Sequence, residues 1–246
     1  MISAPYELDT LQDPVLGLIV LQADETIESD FRTLFASTPA RIHVTRIPSG
    51  ADLTADSISQ MKRDLPQAAS LLPRAPSFAA IGYACTSGTT LIGARAVAGL
   101  VRDGCDTAVV SDPLSAVIKA CSALNIKRLG IISPYSIDIA QPVQSALEDA
   151  GLQIPHAITF DEPTEANVVR ISASSLVRAA HALVAHTQVD GVFMSCTNLR
   201  TMNVIPKLEK DLGMPVLSSN HSLAWDMSHA AGIELAPNWG GKLFQV

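Results

Sequence analysis

Two short segments carry the side chains best suited to chemistry. Tyr83-Ala-Cys85-Thr86 and Met194-Ser-Cys196-Thr197 each follow an apolar run and precede a stretch of helical length. Cys85 and Cys196 therefore stand 111 residues apart at the same point of a strand–turn–helix order. A thiol near the start of a helix meets unpaired backbone N–H groups and the positive end of the helix dipole, which predicts thiolate character at both. Two thiols facing one cleft suit proton or nucleophile transfer on opposite faces of a small carbon acid: one attacks or deprotonates, the other delivers. No metal or organic cofactor is called for. The chain has no G-x-G-x-x-G, no G-x-x-x-x-G-K-[ST] and no H-E-x-x-H, and its histidines form no helical i, i+4 pair. Cys105 and Cys121 read instead as small buried hydrophobes.

The elements that must position these thiols show in the hydrophobic pattern. Apolar runs at Val15–Leu21, Ile42–Ile47, Phe78–Tyr83, Ala108–Val110, Leu129–Ile132, Ile154–Thr159, Gly191–Met194 and Val216–Leu217 predict strands. Stretches of helical length lie between them: Thr26–Phe35, Ala55–Leu72, Leu91–Val101, Ser115–Leu124, Ile137–Asp149, Ser175–His186, Met202–Leu212 and Ser222–Ala231. Continuous rather than alternating apolar strands imply burial on both faces, hence an α/β fold with parallel sheet flanked by helices. An internal repeat divides it. Ser111–Ile126 (SDPLSAVIKACSALNI) aligns without a gap to Ser218–Ile233 (SSNHSLAWDMSHAAGI), and the Cys-Thr pairs match upstream. Two pseudo-symmetric lobes follow, residues 1–113 completed by 214–246, and residues 114–213, with the ligand site in the inter-lobe cleft beyond the strand ends.

Composition narrows the partners. Across 246 residues, 24 acids against 17 bases leave a net charge of −7, so no basic field exists to hold nucleic acid or an anionic membrane. The apolar runs fall far short of the roughly 20 residues of a spanning helix. Met1 to Asp13 has no basic stretch of the kind that opens a secretory signal. A cytoplasmic protein with reduced thiols is the expectation.

At this point the chain resembles the aspartate/glutamate racemase superfamily, and within it the maleate isomerase and arylmalonate decarboxylase branch. The matching segments are Gly17-Leu-Ile-Val20 with Asp24-Glu-Thr-Ile-Glu28, Tyr83-Ala-Cys85-Thr-Ser87, Ile131-Ile-Ser-Pro-Tyr135, Asn167-Val-Val-Arg170 and Ser195-Cys-Thr-Asn-Leu-Arg-Thr201. The last is the most specific. The resemblance implies two α/β lobes related by a pseudo-dyad, catalysis without a cofactor, and a homodimer or higher homo-oligomer. It implies that Cys85 is the nucleophile or first acid/base and Cys196 the opposing acid/base. Tyr135 and Asn167 would hydrogen-bond a substrate carboxylate. Backbone N–H groups at Thr86, Ser87 and Thr197 would complete the anion pocket beside Asn198. In the isomerase mechanism a thiolate adds to a cis double bond, the new single bond rotates, and elimination gives the trans acid. Decarboxylases of this branch have Gly at the first thiol position, so retention of both thiols favours isomerisation, epimerisation or racemisation.

One position departs from that pattern. Maleate isomerases commonly show Pro-Ser-x-Asn after the first strand, where this chain has Leu21-Gln22-Ala23-Asp24. An ionised Asp accepts hydrogen bonds and repels anions. Asp24 therefore either selects a cationic nitrogen from the cleft or turns away to cap the helix near Thr26. The first case leads to a racemase or epimerase of an amino-acid-like substrate, the second to a maleate-type isomerase of a small carboxylic acid. A non-catalytic two-lobed binding protein shares the outline, but such a module has no use for paired thiols.

Overall fold

The computed structural model describes residues 3–50, 55–236 and 241–246. Its elements run in strict alternation at first: β1 (Val15–Leu21), α1 (Ile27–Leu34), β2 (Arg41–Ile47), α2 (Ala55–Ser70) and β3 (Phe78–Ala84). Then come α3 (Thr86–Ile92), α4 (Ala94–Gly104), β4 (Thr107–Ser111) and α5 (Pro113–Ala123). The second half follows with β5 (Leu129–Ser133), α6 (Ile137–Asp149), β6 (Ala157–Thr159), α7 (Glu165–Val168), α8 (Ala173–His186), β7 (Gly191–Met194), α9 (Ile205–Leu212), β8 (Val216–Ser218) and α10 (Ser219–Ala230). A short 3-10 turn at Gly241–Gln245 lies near the C-terminus.

The strands form two four-stranded parallel sheets, ordered β2-β1-β3-β4 and β6-β5-β7-β8. The second order is the first with every number raised by four, which is the repeat expressed as topology. β1 and β5, second from one edge, are buried along their whole length. Their apolar side chains face helices on both sides, as continuous hydrophobic runs require. Edge strands β2 and β6 are partly exposed and correspondingly mixed in sequence.

The helices after β4 and β8 are exchanged between the halves. Leu114, Val117, Ala120 and Cys121 of α5 join the core of the second sheet. Leu223, Ala224 and Met227 of α10 pack with Leu16, Leu18 and Val20 of the first. Asp226 of α10 ties the crossing together, accepting from the Ser111 hydroxyl at 2.5 Å and from the Lys119 ammonium at 2.7 Å. The lobe limits from the sequence need one correction. Val216–Ser218 hydrogen-bonds to β7, so this strand belongs to the second sheet and not, as its place beyond residue 214 suggested, to the first. A three-residue strand carries too little pattern to reveal its neighbour.

Two further expectations change. The single helix expected over Leu91–Val101 is two helices that meet at Gly93, whose φ of 92° is open to glycine and strained for other residues. The one-turn α7 lies in a polar stretch with no apolar period to announce it. Among the described residues, no helix is long and apolar enough to cross a membrane.

Candidate active site

Both cysteines sit beyond the carboxyl ends of central strands, Cys85 just past β3 and Cys196 two residues past β7. They line one cavity between the sheets with Leu21, Asp24, Thr86, Ser87, Tyr135, Glu165, Thr197 and Asn198. The cavity holds about 10 Å³, room for about one water molecule. A substrate of several carbons does not fit this closed form, and admitting one requires the cavity to widen.

Cys85 is the N-cap of α3. Its Sγ accepts the Gly88 backbone N–H at 3.1 Å and lies 3.6 Å from the Ser87 hydroxyl. Gly88 is essential to this arrangement: a Cβ there would lie 2.8 Å from Cys85 Sγ and 2.7 Å from the Tyr83 hydroxyl. Cys196 does not open a helix. It lies in a turn whose backbone is held at φ 150°, and the next helix begins only at Ile205. The Cys196 N–H donates to Ser219 Oγ at 3.0 Å, and the same oxygen is 2.8 Å from Thr86 Oγ1. Ser219 thus joins the two cysteine-bearing segments through one atom.

Burial opposes ionisation of both thiols, against the thiolate character expected from the sequence. Burial pushes Cys85 up to about 11, against the pull of Ser87 and of the Gly88 N–H. Burial also drives Cys196 well above its ordinary value, and the nearby Glu165 carboxyl adds to the effect. Desolvation of the anion in a closed cleft outweighs a few local dipoles. Cys196 in addition lacks the helix start that was expected to help it.

Asp24 faces inward and caps at once. Its Oδ1 accepts the Thr26 and Ile27 N–H groups at 2.8 and 2.9 Å, holding the entry to α1. Its Oδ2 is buried without a well-formed hydrogen bond, the nearby Thr197 hydroxyl giving it partial support. Arg46 fixes the loop that carries it, donating to the carbonyls of Leu21, Gln22 and Asp24 at 2.9 to 3.0 Å. Asn198 is a latch between the halves. Its Oδ1 accepts the Glu25 N–H at 2.9 Å, and its Nδ2 donates to the Glu165 carbonyl and carboxylate at 3.2 Å. Thr197 spans the cleft too, its hydroxyl donating to the Ala84 carbonyl at 3.3 Å. Tyr135 is buried on the cavity wall, and burial holds its phenol well above its usual value, with the two thiols adding to the rise.

Asn167 is the one expected site residue that the structure keeps out. It is exposed on α7 and its side chain turns to Glu162. Glu165, two positions earlier on the same turn, takes the wall position instead. The sequence reasoning missed Glu165, Gly88, Arg46 and Ser219. Only Ser219 left a trace, as the neighbour of Ser218 in the internal repeat.

The profile of the family described as arylmalonate decarboxylase matches residues 95–244, well over half of the chain. The chain belongs to the arylmalonate decarboxylase family. Among curated relatives, arylmalonate decarboxylase from Bordetella bronchiseptica is 24% identical over 238 residues, covering 94% of this chain and 96% of that one. Maleate isomerase from Nocardia farcinica is 25% identical over 248 residues, covering 94% and 95%. Among solved structures, a cysteine-to-serine variant of the Nocardia farcinica maleate cis-trans isomerase, holding a covalently bound succinylcysteine intermediate, superposes with a TM-score of 0.85. That alignment is 21% identical and covers 94% of this chain and 98% of that one. The shared fold spans nearly the entire chain, both sheets included.

Proposed function

We propose that this protein is a cofactor-independent cis–trans isomerase of a small unsaturated carboxylic acid, with Cys85 as nucleophile and Cys196 as the opposing proton donor. The observation that carries the reading is the meeting of both thiols with Tyr135 on one enclosed cavity between the sheets. The relatives named as maleate isomerases support it, as does the cysteine-linked intermediate recorded in one of them.

The chemistry follows from the residues. Opening of the cleft rehydrates Cys85 and lets its proton pass to solvent. The thiolate then forms a bond from sulfur to one alkene carbon, and the π pair moves onto the adjacent carbon as an enolate. Cys196 gives that carbon its proton, the former double bond rotates as a single bond, and Cys196 takes the proton back. The electron pair re-forms the alkene in the trans geometry, and the carbon–sulfur bond breaks to return the Cys85 thiolate. Closure around the intermediate keeps competing water out. A cytoplasmic, homo-oligomeric enzyme completes this reading; sedimentation of the purified chain tests the assembly.

Proton NMR with cis-enoic acids, maleate first, tests the activity without added cofactor. The trans acid should form with the intact protein and not with Cys85→Ser or Cys196→Ser. Undiminished turnover by Cys85→Ser would remove it from the mechanism.

A further inference from the structure

Resting on the isomerase reading, we infer that the substrate carries one carboxylate and one nitrogen hydrogen-bond donor, an amide standing where maleate has its second carboxylate. The wall that meets the substrate holds two carboxyl groups of its own. Asp24 is 3% exposed, and its Oδ2 is a buried acceptor without a well-formed hydrogen bond. Its neighbour Thr197 cannot fully serve it, because that hydroxyl is directed to the Ala84 carbonyl. Glu165 stands on the same cavity and is only partly satisfied by Asn198 at 3.2 Å.

The chain itself offers these groups little positive charge. Among the described residues lining the cavity there is no Lys, Arg or His. Arg46 reaches the loop from outside, with its guanidinium committed to three carbonyls and to Glu28 at 2.5 Å. Burial raises both carboxyls above their ordinary values, and the charge of Asp24 raises Glu165 further. A dianion would add two negative charges to this wall, where Arg46, the cation whose field reaches Asp24, is already committed to carbonyls and to Glu28. A primary amide reverses the balance: its two N–H donors supply what Asp24 Oδ2 lacks, and its carbonyl still activates the alkene toward a thiolate. An unpaired acceptor in a closed site also discriminates strongly, since the wrong ligand leaves it unsatisfied.

The test compares maleate with its cis monoamide by proton NMR in deuterium oxide, using the intact protein, Asp24→Asn and Glu165→Gln. Asn keeps an oxygen for the Thr26 and Ile27 amides, so α1 retains its cap. Glu165→Gln supplies a second variant should the first fold poorly. The monoamide should be isomerised with kcat/KM about tenfold to hundredfold above maleate. Either substitution should shrink or reverse that ratio. Preference for maleate in the intact protein, unchanged in both variants, overturns the inference and leaves the isomerase standing. No isomerisation of either compound by folded protein overturns the isomerase reading, and the inference with it. Deuterium uptake at Cα of an amino acid without alkene isomerisation does the same, and points to racemisation.

Discussion

Replacing Gly88 by Ala probes the geometry of the nucleophile with a single methyl group. The added carbon would lie 2.8 Å from Cys85 Sγ and 2.7 Å from the Tyr83 hydroxyl, both closer than folded proteins tolerate. Tyr83 is fully buried and its hydroxyl rests 3.8 Å from the Met61 sulfur, so it cannot easily yield. The thiol must move, by several tenths of an ångström or more, and its 3.1 Å bond from the Gly88 N–H moves with it. Overpacking of this kind costs about 1–3 kcal/mol. At this chain length that lowers Tm by about 2–4 °C per kcal/mol. The catalytic effect is larger, because misplacing a reacting atom by about 1 Å costs about a hundredfold in rate. Gly99→Ala is the control: a Cβ on that face of α4 meets nothing within 4 Å, and alanine favours a helix by about 1 kcal/mol over glycine. The assay pairs kcat from proton NMR with a thermal melt. Gly88→Ala should lose about tenfold to a hundredfold in kcat while remaining folded, and Gly99→Ala should keep its kcat and melt no lower. Full activity in Gly88→Ala would refute the argument that Gly88 sets the thiol.

Three further outcomes follow from the same geometry. Ser219→Ala removes the acceptor of the Cys196 N–H and the partner of the Thr86 hydroxyl, so stability should fall by about 1–3 kcal/mol; kcat should fall about tenfold or more, and unchanged values for both would remove Ser219 as the joint between the halves. Asp30 is buried beside Asn220, whose amide donates to it at 2.7 Å, and burial lifts its carboxyl to about 7. Because the folded value is raised, the unfolded chain releases this proton first, and stability falls as pH rises from about 4 through 7. Between pH 5 and pH 8, urea midpoints should show a loss on the order of 3 kcal/mol larger than in Asp30→Asn, which keeps the other raised carboxyls; equal losses in both proteins would contradict it. Iodoacetamide at pH 7.5 should label Cys105 first, since it alone of the four thiols is partly exposed; mass spectrometry finding Cys85 labelled first would restore an ionised resting thiol.

The fold was readable because its strands are buried on both faces. Val15–Leu21 and Gly191–Met194 were placed to the residue from apolar runs alone, and the Ser111/Ser218 repeat anticipated the equivalence of β4-α5 and β8-α10. Sheet membership of β8 was not readable, because three residues give no register. At the site, the paired Cys-Thr segments led to both thiols, and Tyr135 and Asn198 line the cavity with them. Proton state was not legible in the sequence. It depends on how tightly the halves close over the thiols, and no local motif encodes that closure. Asn167 went wrong for a related reason: on a one-turn helix, two positions rotate a side chain from wall to solvent, so a motif matched in sequence put Glu165 in the cleft and Asn167 outside it. Asp24, left between facing the cleft and capping the helix, lines the cavity while its Oδ1 caps α1.

The central claim is that Cys85 forms the bond to carbon and Cys196 moves the proton. Intact-mass and peptide mass spectrometry of Cys196→Ser, incubated with a substrate that the intact protein isomerises, tests it most directly. The account predicts that one substrate mass is retained, on the peptide containing Cys85, and that Cys85→Ser retains none. An adduct on another residue, or continued turnover by Cys85→Ser, would contradict it.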